Sequence, residues 1–130
     1  MYSLSVFVCA YNSQAALIAT DLDIDITKLN TLKEFSKKKG ISWIVNCSAY
    51  TAVDQAENDQ ERAFLINKTG VENIANVAKE KGASVIHIST DYVFPGDKDI
   101  ELSESDKTGP VSVYGKSKLA GEQALSQIWK

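Results

Sequence analysis

The sequence predicts an α/β domain built on an open parallel sheet, and three observations predict it. Apolar strand-like runs alternate with amphipathic helix-like runs along the chain, and two of the helical stretches are followed by a glycine. The run Ser84 to Ser89 is mostly apolar on both alternating faces, as in a strand covered on both sides.

Each element has its own signal. Leu4 to Val8 is strand-like. Ala16 to Thr20 reads as a short strand, stopped by the acidic run Asp21, Asp23 and Asp25. Thr27 is a fitting N-cap for a helix in which Leu29, Leu32 and Phe35 recur at helical spacing; Lys37-Lys38-Lys39-Gly40 closes it, cations suiting the negative end of the dipole. Ile41 to Cys47 is the next strand. A second helix is expected from about Asp59 to Lys81, with Ala63, Ile66, Gly70, Ile74, Val77 and Ala78 as its apolar stripe and Gly82 past its end. After the Ser84–Ser89 strand, Pro95 to Pro110 is a polar connection long enough to suggest a functional loop. A last helix runs from about Ser112 to Trp129. Ligands of open parallel sheets sit beyond the carboxyl ends of the strands, so chemistry is expected there.

Composition narrows the function classes. A length of 130 residues fits one domain, and 44% hydrophobic with 24% charged residues is ordinary for a folded one. The net charge of -3 gives no basic excess for nucleic acid. Two cysteines cannot build a disulfide framework, which makes a reducing cytoplasm the default expectation. No segment has the ~18 apolar residues of a membrane span, and Met1 to Ala10 lacks the basic start of a signal peptide.

The residues with chemistry fall where the sheet would place them. Ser89-Thr90-Asp91-Tyr92 stands at the end of the Ser84–Ser89 strand, and Tyr114-Gly115-Lys116-Ser117-Lys118 opens the last helix. Tyr114 and Lys118 stand about 40° apart around a helix and share a face, which continues through Gly121, Leu125 and Ile128. A lysine on the packed side of a helix is unexpected unless it is needed there; an ammonium beside a phenol favours the phenolate and suits the pair to acid–base work.

Tyr-x-x-x-Lys after a hydroxyl-bearing strand end resembles the signature of the extended short-chain dehydrogenase/reductases. Asn46-Cys47-Ser48-Ala49-Tyr50-Thr51-Ala52-Val53-Asp54-Gln55-Ala56-Glu57, Asn67-Lys68-Thr69-Gly70, His87 to Phe94 and Val113 to Glu122 resemble, in order and spacing, motifs of the dTDP-4-dehydrorhamnose reductase family. The resemblance runs from about Ala16 to about Ser126. It implies a Rossmann-like doubly wound parallel sheet, and NADPH- or NADH-dependent reduction of the 4-keto group of dTDP-4-dehydro-6-deoxy-L-mannose to dTDP-L-rhamnose. It further implies that Tyr114 is the general acid, that Lys118 binds the nicotinamide ribose and makes the phenol the better acid, and that Thr90 donates a hydrogen bond to the ketone oxygen. Val53, Asp91 and Tyr92 would line the sugar pocket, Ser48, Ala49 and Thr51 the turn beside the cofactor. Asp21 would lie near the adenosine ribose, Asp25 and Ile26 beside the adenine. The resemblance leaves room for a Mg2+ ion and a homodimer.

Other residues read as structural. Asp21 and Asp25 also suit turn and helix caps, Asn67 suits a satisfied buried amide, and His87 lies inside its strand. Cys47 has no histidine near it in sequence, and Glu101, Glu104 and Asp106 suit a solvated loop. The family pattern breaks at the start: a dinucleotide fold opens on a strand and a glycine-rich turn that holds the pyrophosphate, whereas the first glycine here is Gly40. The expectation is therefore a partial NAD(P)-binding domain over residues 1–130, without the first glycine-rich βα unit or a second, substrate domain. Two other function classes stay open: a non-catalytic nucleotide-binding subunit resembling the regulatory β subunit of methionine adenosyltransferase, and a related sugar-nucleotide epimerase.

Overall fold

A computed structural model describes residues 6–10, 16–20, 24–37, 41–96 and 101–130. Four strands, β1 (Val6–Ala10), β2 (Ala16–Thr20), β3 (Trp43–Asn46) and β4 (Ser84–His87), form one sheet in the order β2-β1-β3-β4. The helices are α1 (Leu29–Lys37), α2 (Val53–Ala56), α3 (Gln60–Phe64), α4 (Val71–Lys81) and α5 (Val113–Ile128); a π-helical segment, Leu65–Gly70, joins α3 to α4.

The parallel expectation holds for β3 and β4, which pair with Trp43 beside Ser84 and Asn46 beside His87. It fails for β1, which is antiparallel to both neighbours, Val6 lying opposite Thr20 on one side and Asn46 on the other. The reason is chain length. Only residues 11–15 separate β1 from β2, whereas a parallel crossover needs a dozen residues or more. β2 thus runs in the direction of β3 and β4, with β1 reversed between them.

The expectation of a β4 covered on both sides is also corrected. Ile44 and Asn46 of β3 are buried, whereas Trp43 is 44% exposed, Ile86 46% and Ile88 52%. Among the described residues, α4 packs on β3 and β4 and α1 and α5 pack on α4, and the core is Ile26, Leu32, Ile44, Tyr50, Ile66, Ile74 and their neighbours.

The expected helix from Asp59 to Lys81 is present but in three pieces. The π segment widens the turn around Asn67, and such turns often mark places where a helix must present a group it otherwise would not. The helix ends where expected: Gly82 is left-handed at φ 65°, and its neighbour Ala83 N–H reaches Ala78 O at 2.9 Å. Thr27 is not the N-cap of α1. It donates from both its amide (3.0 Å) and its hydroxyl (2.6 Å) to Asp25 Oδ1, forming a local turn that precedes the helix. The lysine-rich stop after Lys37 falls on residues 38–40, outside the described residues. α5 starts as expected, with Ser112 Oγ accepting from Gly115 N–H at 3.0 Å.

α5 and the π segment meet at Gly121. A Cβ there would lie 2.1 Å from the backbone oxygen of Asn67, a clash that no side-chain rotation relieves. Gly82→Ala, by contrast, meets nothing within 4 Å and carries only the left-handed strain of about 1 kcal/mol. Urea unfolding is therefore expected to show Gly121→Ala losing at least ~2 kcal/mol, clearly more than Gly82→Ala; equal losses would refute this account of the α5 contact.

Candidate active site

The carboxyl ends of β3 and β4 and the first two turns of α5 converge. After β3 the chain runs through Ser48, Ala49 and Tyr50, all buried, then exposed Thr51 and half-buried Val53. After β4 it runs through Ile88, Ser89 and Thr90 into a 3-10 turn, Asp91–Val93. Thr90 Oγ1 accepts from Tyr92 N–H at 3.3 Å and donates to Asp91 Oδ1 at 3.2 Å. The head of α5 presses on this turn because position 115 is glycine: a Cβ there would lie 2.2 Å from Tyr92 O. The close approach brings the Tyr92 and Tyr114 rings edge to face, centroids 5.6 Å apart at 71°.

Tyr114 and Lys118 both face inward, 9% and 2% exposed. Lys118 Nζ donates to Ile88 O at 2.6 Å, and its burial lowers the pKa from the ordinary lysine value, with Glu122 and then Cys47 acting in the opposite direction. Among the described residues no hydrogen bond joins the Tyr114 hydroxyl to Thr90 or Lys118. The phenol, two N–H groups of Lys118 and the second lone pair of Thr90 remain for a ligand.

Beneath them lies a chain of polar contacts with fixed direction. Ser48 N–H donates to Asn46 Oδ1 at 3.0 Å, which turns the Asn46 amide nitrogen towards His87 Nδ1, also 3.0 Å away. His87 is then the Nε2–H tautomer, and Nε2 is buried with no hydrogen-bond partner among the described residues. Burial first, and the Lys118 charge second, lower the His87 pKa to about 4. Ser89 Oγ donates to Glu122 in the next turn of α5. The Asn67 side chain accepts from Tyr50 N–H at 2.8 Å and donates to Tyr50 O at 3.1 Å and to Ser117 Oγ at 2.9 Å, while Ser117 donates to Tyr114 O at 2.7 Å. It is the satisfied buried amide expected, and it also splices the loop after β3 to the helix of Tyr114.

The remaining predicted residues sit apart from this convergence or outside the description. Asp21 lies outside the described residues. Asp25 is committed to its turn, the Thr27 hydroxyl chiefly holding its carboxyl below the usual range, with Lys28 3.3 Å away. Ile26 is fully buried, and a Cβ on Gly70 would come within 2.5 Å of its Cδ1; its side chain serves the core. Glu101, Glu104 and Asp106 are exposed. Among the described residues no group of three or more His, Cys, Asp or Glu is placed to hold a metal ion, so Mg2+ finds no ligand set there. Sequence reasoning missed Glu57, whose Oε1 accepts from Val113 N–H at 2.8 Å; a contact between residues so far apart in the chain leaves no local pattern.

A family model, that of the RmlD substrate binding domain, matches residues 5–130. The chain belongs to this family. A family relative from Salmonella typhimurium, named dTDP-4-dehydrorhamnose reductase, is 50% identical over 111 residues, covering 78% of this chain and 37% of the relative. One of the same name from Mycolicibacterium smegmatis is 42% identical over 117 residues, covering 89% and 35%. A crystal structure of dTDP-4-dehydrorhamnose reductase from Bacillus anthracis in complex with NADP matches with a TM-score of 0.81 at 37% identity, over 83% of this chain and 38% of that one. The chain thus spans little more than a third of the length of these family members. The Rossmann-like α/β class is shared with them, the reversed β1 notwithstanding, and no helix among the described residues is long and apolar enough to cross a membrane.

Two outcomes follow from the buried charges. The folded His87 stays neutral down to about 4 while the unfolded one protonates near 6.5, so the unfolded chain binds more protons in between. Stability is expected to fall as pH drops from 6.5 to 4, by up to ~3 kcal/mol. Because this is the chain's one histidine, the difference between wild type and His87→Gln in urea titrations at stepped pH isolates it; parallel curves would refute the assignment. Lys118 carries the same sign at the alkaline end: its lowered pKa makes stability rise as pH climbs towards 10.5. Lys118→Met removes a buried ammonium but leaves Ile88 O unpaired, two opposing effects of about 1–3 kcal/mol. The net change at neutral pH is expected within ~1 kcal/mol, with the alkaline rise abolished. A large loss of stability would instead make Lys118 a structural cation.

Proposed function

We propose that this chain carries the proton-donating and nicotinamide-ribose side of an NADPH- or NADH-dependent reductase that converts dTDP-4-dehydro-6-deoxy-L-mannose to dTDP-L-rhamnose. The observation that supports this best is the pairing of inward-facing Tyr114 and Lys118 beside the turn that carries Thr90. The likeness to proteins of that activity supports it further, and nothing in the geometry favours an epimerase or a non-catalytic subunit.

In this reading the reduced nicotinamide, when bound, supplies a hydride to C4 of the sugar. Tyr114 gives its proton to the C4 oxygen, so that carbonyl plus hydride plus proton balances as an alcohol. Thr90, its hydroxyl turned from Asp91 Oδ1 to the substrate, donates to the same oxygen as charge builds on it. Lys118, anchored by Ile88 O, offers its two other N–H groups to the ribose hydroxyls and favours departure of the phenolic proton. Ser48, Ala49 and Thr51 form the turn beside the cofactor, their small size allowing close backbone approach. Val53, Asp91 and Tyr92 border the sugar, and the Asp25–Ile26 turn, through its backbone, and Asp21 border the adenosine. Residues 1–130 act as part of an NAD(P)-binding domain; a cytoplasmic setting and a homodimer belong to the same proposal.

The residues fit the nicotinamide end and not the pyrophosphate. β1 ends at Ala10, beside the amino end of β3, where Cys9 pairs with Trp43, at the end of the sheet opposite Ser48. A helix N-terminus that would hold the phosphates is thus not delivered to the site by β1. The chain alone is expected to bind NADPH weakly or not at all by calorimetry.

Activity is tested by grafting the matching segment of this chain into the Salmonella relative. The chimera is expected to reduce the 4-keto sugar, and Tyr114→Phe in it to lower kcat about 10²–10⁴-fold with little change in KM. A Tyr114→Phe chimera with unchanged kcat would remove this tyrosine from the chemistry.

A further inference from the structure

The head of α5 is held by a residue from a distant part of the chain. Glu57 directly follows α2, and its carboxylate accepts from Val113 N–H, the first amide of α5, at 2.8 Å. Ser112 Oγ takes the amide of Gly115, and Ser112 O that of Lys116 at 3.0 Å. Two of the four amides that a helix start leaves free are thus held by side chains, one of them by a carboxylate, which also suits the positive end of the helix dipole.

What distinguishes Glu57 from an ordinary cap is what its two ends are attached to. Val113 immediately precedes Tyr114. Glu57 closes the short helix that begins at Val53, next to the Ser48–Thr51 turn. The other side-chain hydrogen bonds that anchor α5 act further along: Ser117 through Asn67, Lys118 to Ile88 O, Glu122 from Ser89, and Trp129 through Nε1–H to Ala83 O at 2.7 Å. Glu57 therefore governs the first turn, where Tyr114 meets Tyr92, and not the body of the helix.

We propose that Glu57 is a positioning residue for Tyr114, its carboxylate fixing the first turn of α5 against the loop after β3 and so setting the phenol where it meets Tyr92. The functional meaning rests on Tyr114 being the proton donor, as read above; the geometry does not.

NMR on the chain as it stands tests this without turnover. In Glu57→Ala, exchange of the Val113 amide is expected to rise about tenfold, and the Tyr114 ring resonances to lose the shift imposed by the neighbouring Tyr92 ring, while amides of α4 keep their protection. Glu57→Gln retains an acceptor of the same reach and is expected to keep both signals within about twofold of wild type. Unchanged Val113 exchange or an unmoved Tyr114 ring in Glu57→Ala overturns the proposal. So does loss of both signals in Glu57→Gln. An unfolded Glu57→Ala chain, or protection lost throughout α4, makes Glu57 a general structural residue and overturns it as well. Failure here leaves the reductase reading standing, and a Tyr114→Phe chimera of unchanged kcat leaves this geometry standing.

Discussion

Asn67 holds the molecule's functional half together. Its amide, fully buried, pairs with both backbone groups of Tyr50 and with the Ser117 hydroxyl. One side chain thereby fixes the loop after β3, the middle of the long helix and the helix that bears Tyr114. The π segment is what makes this geometry available: the widened turn presents Asn67 to two partners, and its carbonyl sits against a glycine on α5. An unpaired buried amide costs about 1–3 kcal/mol per lost partner, and here three partners depend on it. The satisfied network is stiff because none of its members can move alone.

The chemistry of the site is set on top of that frame at some electrostatic cost. Lys118 is withdrawn from water, hydrogen-bonded to a backbone carbonyl with Glu122 and Cys47 only partly offsetting the cost, and the neighbouring His87 is kept neutral by the same lack of solvent. Residues chosen for stability alone would not combine a buried ammonium with an unpartnered ring N–H. Cost concentrated at one place, in an otherwise well-packed core, is the usual mark of a functional position.

Local patterns made much of this legible. The stripe through Tyr114, Lys118 and Gly121 announced a helix whose lysine turns inward, and Ser112 and Gly82 announced their helix ends because capping is a short-range affair. Asn67 was readable as a satisfied amide because it falls on an apolar face. What stayed hidden depends on partners distant in sequence or on connection lengths. Alternating apolar residues specify a strand but not its direction, so the reversal of β1 followed only from the shortness of its link to β2. A run apolar on both faces cannot say whether both are covered, and Ile86 and Ile88 prove exposed. Asp25 and Thr27 satisfied each other instead of the helix, and Glu57 found Val113 across the fold, where no spacing rule reaches.

The bare side of β3 and β4 bears on how the molecule behaves in concentrated solution. Trp43, Ile86 and Ile88 form an apolar surface beside β4, the last strand of its sheet, and the run from Ser84 to Ile88 contains no charge and no proline to discourage another chain from aligning with it. A net charge of -3 over 130 residues offers only weak long-range repulsion. Colloidal stability therefore depends on this patch as well as on the polar surface. Added salt, by screening the small charge and strengthening apolar association together, would bring molecules into contact there first.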